Sequence, residues 1–550
     1  MKKILEKIHS NLFFILSILI LLVLFIVPVV NEGTLIGDDF GFHLSRLQGI
    51  SEGLENHNFP VKILAGAANT YTYGSGFFYP SLFLYFPAIL KLLSIPNKIV
   101  VSIFIIVAEL AMFISSYIST KHITKNKTAS IMVASLIATS FYFLTNVYYR
   151  FAVGEYLAMI FMPVLVAGMW DFVYNDFKNK KYIIIGMLGI VFSHTISIII
   201  AIIFCIIFSL INIKIILKNP KNIYKMVLCA ILVVLLTSVY WMPMLEQMTA
   251  QKLKYQSSTL SHTYDLDISF KDLFSNEIVN AKFSLGYMQS ILFIANIVFL
   301  ILNFKNIKRD TKQLFFISAF MLVIITMKSF WRIFSIFDII QFPWRLLGII
   351  SILNSIVFGK IIIEIFDAKS LKNIAILILI ATVFLSTQEM GKLLRYGDLP
   401  ENYYNLPITL GGGKEYLPEN SIIDEGFEID YSKLDSPNEA INENNEKILG
   451  NKDGLNFEFE NNEQDVYYRI PFFYYKGYAA KIIKENGEEE KLDVSLGEGG
   501  LVKVENANSK GKIVVWYKGT AIQKISYTIT FSILVFIVAI YFYKHIKKDK

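Results

Sequence analysis

Four side chains suited to acid–base and anion chemistry follow the first long apolar run of the chain. The stretch "GDDFGFHLSRLQGI" at 37–50 contains Asp38, Asp39, His43 and Arg46. Residues spaced i, i+4 and i+7 share one face of a helix, which applies to Asp39, His43 and Arg46. That face offers a base, a proton partner and a cation. Two acids at a helix start are also typical of N-caps favoured by the helix dipole, so the motif has two interpretations.

The composition indicates the class of protein that carries this motif. Of 550 residues, 54% are hydrophobic and 18% are charged, and the mean hydropathy is +0.50. Apolar runs of about 20 residues, separated by short Lys-rich gaps, are typical of helices that cross a bilayer. The sequence therefore predicts an α-helical polytopic membrane protein with spans at 11–30, 98–118, 128–146, 155–174, 182–193, 195–213, 222–241, 287–304, 312–327, 344–365, 371–387 and 523–543.

Basic loops predict the orientation. Loops rich in Lys and Arg stay in the cytoplasm, and here they are 120–127, 177–181, 214–225, 303–312, 368–372 and 543–550. They share that side only if the apolar run 77–93, which holds two prolines, is re-entrant or interfacial. We therefore expect about twelve crossings of the plasma membrane, with both termini cytoplasmic and the loop 31–97 outside. The net charge of +7 is then a topology signal and predicts no nucleic-acid partner.

A polar region near the C-terminus has a different pattern. Short runs rich in β-branched and aromatic residues occur at 455–460, 465–483, 491–496, 500–506 and 511–518, separated by turn signals. This spacing predicts an extracytoplasmic, mainly-β, sandwich-like domain, with a surface loop around 436–454. The predicted domains are a transmembrane domain at 1–387, the β-rich domain at 388–522, and a last span with a basic tail at 523–550.

Further polar residues fall on the predicted outer face. Arg150 and Glu155 lie in "YYRFAVGEY", His194 lies in "FSHTIS", and Arg345 lies in "QFPWRLL". Each has a structural interpretation as well, because polar residues at membrane borders often snorkel or pair with one another. Glu155 could simply pair with Arg150, and His194 is either a buried histidine bonded to backbone or part of a donor site. The loop "YGSGFFYP" with Tyr79 either closes over a lipid chain or is a structural turn.

Several motifs, taken in order, resemble those of a bacterial family. They are "GDDFGFHLSRLQGI", "YTYGSGFFYPSLFLYFPAIL", "YYRFAVGEYLAMIFMPVL", "FSHT", "YWMPMLEQ", "IIQFPWRLLGI", "GGKEYLP" and "PFFYYKGYAAKI". Together they are similar to the YfhO-like membrane proteins, often labelled 6-pyruvoyl-tetrahydropterin-synthase-related, although nothing here resembles a soluble pterin enzyme. That family resembles the GT-C glycosyltransferases, which carry an acidic residue in the first external loop and use polyprenyl-phosphate sugars as donors.

The resemblance implies a membrane glycosyltransferase that moves a sugar from a polyprenyl-phosphate donor to an envelope glycan or lipid acceptor on the outer face. A carboxylate can deprotonate the acceptor, and cations can bind the leaving phosphate. We assign Asp39 as the base and Asp38 as its alternative or as an acceptor-orienting acid, with His43 tuning the carboxylate or donating to the phosphate. The residues expected to bind the phosphate are Arg46, Arg150 and Arg345, and the supporting residues are Glu155, His194 and Tyr79.

Two other functional classes fit parts of the sequence. A transporter or flippase of an envelope precursor would also be polytopic, but should carry charges deep within its spans. A non-enzymatic protein that binds envelope polymer would not explain the external acids. No P-loop, GxGxxG or nucleotide-sugar motif is visible. Cys205 and Cys229 lie inside apolar runs, and neither a cofactor nor a metal site is predicted.

Overall fold

The computed structural model describes residues 2–30, 34–35, 37–66, 71–257, 268–275, 283–394, 396–397, 414–421 and 436–546. Part of the predicted loop 31–97, and most of 398–435 in the predicted β-rich domain, lie outside the described residues.

Helices form wherever the sequence has long apolar runs, because a backbone in hydrocarbon must satisfy its own hydrogen bonds. The longer helices are α1 (Lys2–Val30), α2 (Phe40–Glu55), α3 (Asn97–Thr124), α4 (Lys127–Ala138), α5 (Val153–Tyr174), α6 (Lys181–Val191), α7 (Thr195–Ile211), α8 (Pro220–Leu236), α9 (Ser238–Ala250), α10 (Gly286–Leu302), α11 (Arg309–Thr326), α12 (Leu346–Ile365), α13 (Ala368–Leu393) and α14 (Ala521–Ile546). Shorter helices of three to eight residues are Ser75–Phe78, Leu82–Leu84, Tyr85–Leu92, Phe141–Leu144, Thr145–Tyr149, Ile213–Ile216, Lys254–Ser257, Phe270–Leu273, Lys328–Ile333, Ser335–Ile340, Pro343–Arg345 and Glu498–Gly500.

Several of these helices are long and apolar enough to cross a membrane. In the described part of the chain they are Leu12–Val30, Asn97–Thr124, Val153–Tyr174, Pro343–Ile365, Ala368–Leu393 and Ala521–Tyr543. Two pairs of helices joined by a bend are also long and apolar enough if each pair is counted as one span; they are Lys127–Ala138 with Phe141–Tyr149, and α8 with α9. The membrane class is confirmed. The count of twelve stays a prediction, because α6, α7 and α10 have only 11 to 17 residues.

The apolar run 77–93 is broken into short pieces. Its longest helix, Tyr85–Leu92, has 8 residues, which is about 12 Å at 1.5 Å per residue and far below the ~30 Å of a hydrocarbon core. This length agrees with a re-entrant or interfacial segment, and the orientation of the loops stays a prediction.

The first of two compact units comprises 1–40, 96–233 and 261–403. The almost wholly buried helix α12 contacts α4, α5, α10 and α11. Buried amides join these helices: Asn354 Nδ2 donates to Gln289 Oε1 at 2.9 Å, and Asn296 Nδ2 donates to Asn354 Oδ1 at 2.8 Å. Such amide pairs fix helix register where lipid offers no alternative partner.

The second unit comprises 41–95, 234–260 and 404–550 and contains the β-rich region. In the first unit, β1 (Thr34–Leu35) pairs with β2 (Tyr396–Gly397). The described strands of the second unit are β3 (Glu439–Asn442), β4 (Lys447–Asp453), β5 (Asn456–Glu460), β6 (Tyr467–Phe473), β7 (Tyr478–Lys484), β8 (Glu489–Leu492), β9 (Val494–Leu496), β10 (Leu501–Glu505) and β11 (Gly511–Tyr517). All pair antiparallel in the order β8-β7-β11-β5-β4-β3-β6-β10-β9.

The β-sheet folds over so that its two halves face each other. Strand β4 pairs with β3 through Lys447–Leu449 and with β5 through Gly450–Asp453. As a result, rings of β5 and β6 meet although these strands are not neighbours, with 4.8 Å between the ring centroids of Phe459 and Tyr468. The predicted C-terminal β-rich domain is confirmed. The predicted loop at 436–454 is wrong, because β3 and β4 occupy it.

Helical segments of the second unit pack closely. A Cβ at Gly53 of α2 would lie 2.5 Å from Val61 Cγ2, so a larger residue at 53 would force the Val61 side chain to move. Helices α9 and α14 pack together, and Ser238 Oγ lies 3.0 Å from Thr530 Oγ1. The division of the chain at 387 and 522 stays a prediction.

Candidate active site

The turn at Gly37–Asp39 is docked on the backbone that follows α4. Asp39 N–H donates to the Arg150 carbonyl at 2.8 Å, and Asp38 N–H donates to the Tyr149 carbonyl at 3.3 Å. A Cβ on Gly37 would lie 2.5 Å from Phe151 Cβ, so the approach requires glycine at 37. The turn therefore holds Asp39 close to Arg150 within the first unit.

Arg150 is presented by a single π-helical turn, Thr145–Tyr149, and π-turns of this kind often occur at functional sites. The backbone then reverses at Phe151, which has a φ of 55°. Arg150 Nη1 donates to Asn146 Oδ1 at 2.7 Å and to Glu155 Oε2 at 2.9 Å. The guanidinium is thereby fixed at one edge only.

Glu155 in the first turn of α5 is the centre of the cluster. Its Oε2 also accepts from Arg345 Nε at 3.3 Å, and its Oε1 accepts from the Tyr142 hydroxyl. An acid at this position is favoured by the helix dipole. His194 is a further electrostatic neighbour of Glu155 and has its Nδ1 2.9 Å from Ser197 Oγ. Glu155 is thus buried but fully compensated.

Among the described residues, some N–H groups of both arginines have no hydrogen-bond acceptor. Arg345 Nη1 donates to the Ile340 carbonyl and to Gln341 Oε1, both at 2.9 Å. Over the described ranges, no acceptor contacts Arg345 Nη2 or the Nε and Nη2 of Arg150. Two nearly buried guanidinium groups therefore offer N–H donors to an anion.

The two acids of the motif have different surroundings. Asp38 is exposed, whereas Asp39 is partly buried. Burial raises the pKa of Asp39 above its usual value, and the neighbouring Arg150 and Arg345 oppose that rise. Within the part of the chain that the structure describes, no group donates a hydrogen bond to the Asp39 carboxylate. Because burial disfavours the ionised form, the Asp39 carboxylate is a stronger base than an exposed aspartate.

His43, Arg46 and Tyr79 form a separate cluster in the second unit. Arg46 is buried, and burial lowers its pKa. Its Nη2 donates to the Pro80 carbonyl at 2.6 Å and to Ser81 Oγ at 3.0 Å, and its Nη1 lies 3.3 Å from His43 Nδ1. The guanidinium carbon is 4.2 Å from the Tyr79 ring centroid. Arg46 thus holds the turn at 79–81.

The structure brings together Asp39, Arg150, Glu155, Arg345 and His194 in the first unit. Sequence reasoning missed Tyr142 and Asn146, which complete the cluster. The signal for Asn146 is that it is the only amide of the predicted span 128–146 and lies four residues before Arg150. No group of three or more metal-ligating side chains occurs among the described residues.

Residues 8–344 match the family of unknown function DUF6541, and the chain therefore belongs to that family. A curated relative is an uncharacterized protein of Lactococcus lactis subsp. cremoris (strain MG1363), which is 23% identical over 356 residues. The match covers 61% of this chain and 55% of that relative, so the chain spans little more than half of the relative's length.

The structure is similar to two solved membrane glycosyltransferases at low identity. The arabinofuranosyltransferase AftD from Mycobacteria has a TM-score of 0.47 and 12% identity, covering 72% of this chain and 28% of AftD. The oligosaccharyltransferase of Archaeoglobus fulgidus has a TM-score of 0.41 and 11% identity, covering 73% of this chain and 58% of the enzyme.

Proposed function

We propose that this member of DUF6541 is a membrane glycosyltransferase that uses a lipid-linked sugar phosphate as donor. The observation that carries the proposal is the pair of guanidinium groups, Arg150 and Arg345, held by Glu155 with donors left over beside the Asp39 carboxylate. A phosphate fits this arrangement, because guanidinium groups bind phosphate oxygens through paired N–H donors. The expected donor is a polyprenyl-phosphate sugar, as the YfhO-like and GT-C resemblance implies.

The cluster supplies what the transfer needs. An acceptor hydroxyl attacks C1 of the sugar and forms the new C–O bond, while its proton passes to the Asp39 carboxylate. The bond between C1 and the phosphate oxygen breaks, and both electrons leave with the phosphate. The leaving polyprenyl phosphate gains negative charge, which Arg150 and Arg345 stabilise. Asp38 is the alternative base or orients the acceptor.

The remaining predicted residues support these roles. Glu155 and His194 position the two arginines. His43, Arg46 and Tyr79 belong to the 79–81 turn of the second unit, so we assign them to shaping that turn; a direct role for His43 and Arg46 in tuning the base or binding phosphate stays a prediction.

The helix lengths support a site on the outer face. Glu155 lies in the first turn of α5 and Tyr174 ends it, which is about 28 Å at 1.5 Å per residue and close to the ~30 Å of a bilayer core. The Lys-rich loop 177–181 follows the far end of α5. Since basic loops stay inside, the arginine cluster is expected outside, where the acceptor would be an envelope glycan or lipid.

A transport function is the second candidate, and one observation favours it. Glu109 lies in the middle of α3 and is fully buried. No group in the described residues meets hydrogen-bond geometry with either of its carboxyl oxygens, and the Tyr148 hydroxyl is its polar neighbour. An ionisable residue deep in a span is typical of proton-coupled transport.

Sugar transfer by the purified protein tests the proposal. The donors are polyprenyl-phosphate sugars labelled in the sugar, and the acceptor is envelope glycan from cells that lack the gene. Asp39→Asn removes the proton acceptor at nearly constant size and should lower turnover by about 10²–10⁴-fold. Asp38→Asn is the matched variant one residue away. Sugar transfer at the parental rate by both variants would overturn the glycosyltransferase proposal. Transport would be favoured if these two variants kept the function of the parent and Glu109→Gln lost the movement of an envelope precursor across the membrane.

A further inference from the structure

A groove lies on the first unit between helices α10 and α11. Both helices pack against α12, and they touch each other through Phe293 and Phe315, whose ring centroids are 5.5 Å apart. Beside this contact the helices leave a cavity of about 390 Å³. Its lining is apolar, with Ile301, Phe304 and Phe316, except for the side chain of Lys312.

The segment that joins α10 to the first turn of α11 beside this groove is basic, and Lys312 is its one basic residue among the described residues that line the cavity. The segment 303–312 carries Lys305, Lys308, Arg309 and Lys312. The nearby acids are already engaged: Asp310 Oδ2 pairs with Lys360 Nζ at 2.8 Å, and Glu364 accepts from Thr311 Oγ1 at 3.0 Å. Across the described residues none of the four basic side chains has an acidic partner. Lys312 Nζ lies 4.0 Å from the Phe304 ring centroid and so sits at the edge of the groove.

The groove is remote from the arginine cluster. Asp310 joins α11 to Lys360 near the end of α12, whereas Arg345 immediately precedes α12. Arg345 and Lys360 are 15 positions apart, which is about 22 Å at 1.5 Å per residue. The donor phosphate of the proposed reaction and a ligand of Lys312 would therefore occupy opposite ends of the same helix.

We propose that this groove binds an anionic phospholipid of the bilayer. An acyl chain would lie along Ile301, Phe315 and Phe316, and the headgroup phosphate would contact Lys312 and the basic residues beside it. An apolar groove between membrane helices that ends in unpaired cations matches both parts of such a lipid. A zwitterionic lipid would leave the four cations without a net counter-charge. The inference does not depend on the proposed function.

Lipid retention by the purified full-length protein tests this site. The protein is reconstituted with equal amounts of phosphatidylglycerol and phosphatidylethanolamine, re-extracted in mild detergent, and its retained lipid is counted by native mass spectrometry. We expect preferential retention of phosphatidylglycerol. Lys312→Gln should weaken it about fivefold, since one basic residue near an anionic headgroup contributes about 1 kcal/mol. Lys312→Arg should restore it, and Ala319→Trp, which fills the groove, should abolish it.

Lys218→Gln is the matched control, because Lys218 is an exposed lysine of another basic loop, 214–225. Its phosphatidylglycerol retention should equal that of the parent. Equal retention of the two lipids by the parent would overturn the proposal. An equal loss in Lys218→Gln and Lys312→Gln would also overturn it, because the selectivity would then come from general surface charge. Preferential retention of a polyprenyl phosphate added as competitor would overturn the assignment to a bilayer phospholipid.

Discussion

Replacing Glu155 by Gln is the sharpest perturbation of the arginine cluster. The change keeps the size of the side chain but removes the one charge that holds Arg150 and Arg345 together. The amide can still accept from one guanidinium, yet its NH₂ group would face a donor on the other side. Because Tyr142 donates to the same carboxylate, three contacts are affected at once.

The structure sets the size of the expected effect. At 2.9 Å and 3.3 Å, two unit charges attract by about 6 and 5 kcal/mol at an effective dielectric constant of about 20. Desolvation offsets most of this, but removing one partner of a buried pair still costs about 3–5 kcal/mol, because charges are left buried and uncompensated. We therefore expect Glu155→Gln to lower the free energy of unfolding by about 3–5 kcal/mol.

The assay is unfolding of the purified protein in detergent, with Glu109→Gln as the matched control. Both residues are buried in apolar helices and undergo the same chemical change, but Glu109 has no cationic partner within the described residues. Neutralising Glu109 should leave stability unchanged or raise it, because an uncompensated buried carboxyl is costly. Equal stability changes in the two variants would refute the ion-pair network. So would a Glu155→Gln variant as stable as the parent.

Four further outcomes are expected. Since burial raises the pKa of Asp39, sugar transfer should fall as the pH drops through that raised pKa, and Asp39→Asn should remove this acid limb of the pH profile. Above the raised pKa, the ionised carboxylate destabilises the folded state. Asp39→Ala should therefore keep or raise the melting temperature at pH 7, whereas loss of an N-cap would cost about 1 kcal/mol. Arg46→Ala should cost at least about 1.5–3 kcal/mol through its lost charged hydrogen bonds and expose the 79–81 turn to limited proteolysis. Phe459→Ala, in the interior of the β-rich region, should lower the unfolding free energy by about 3–5 kcal/mol without changing the KM for the donor.

Apolar runs made the helices predictable, because hydrocarbon leaves the backbone few alternatives. Each predicted span contains helix, but 128–146 and 222–241 both run across a bend between two helices. The break at His194, where α6 ends and α7 begins, lies where the predicted spans 182–193 and 195–213 put it. The sequence did not predict the strands β3 and β4. β4 has the sequence "KILGNKD" and alternates exposed with half-buried side chains. Its polar composition is typical of a loop, but backbone hydrogen bonds to β3 and β5 keep it extended.

The site was predictable in its residue types but not in its grouping. Helical spacing linked Asp39 to His43 and Arg46, yet α2 begins only at Phe40, so Asp39 belongs to the preceding turn. What brings Asp39 to Arg150 is a backbone contact 111 positions away in sequence, and no local pattern encodes it. Tyr142 was missed for a related reason, because its partner Glu155 lies 13 positions away beyond the π-turn. Asn146 had a local signal in its spacing of four residues from Arg150, but many other polar residues of the same span hid it.

The two carboxylates of the cluster divide the chemistry between them. Glu155 is held by two arginines and a tyrosine and stays ionised as a fixed counter-charge, whereas Asp39 is close to the same cations but unbound by them. With both acids ionised, the two arginines are neutralised. When Asp39 takes the acceptor proton, the cluster gains one net positive charge, and it does so as the sugar phosphodiester becomes a more negative phosphomonoester. The attraction to phosphate therefore strengthens along the reaction instead of in the bound substrate, which is the kind of binding that accelerates the chemical step.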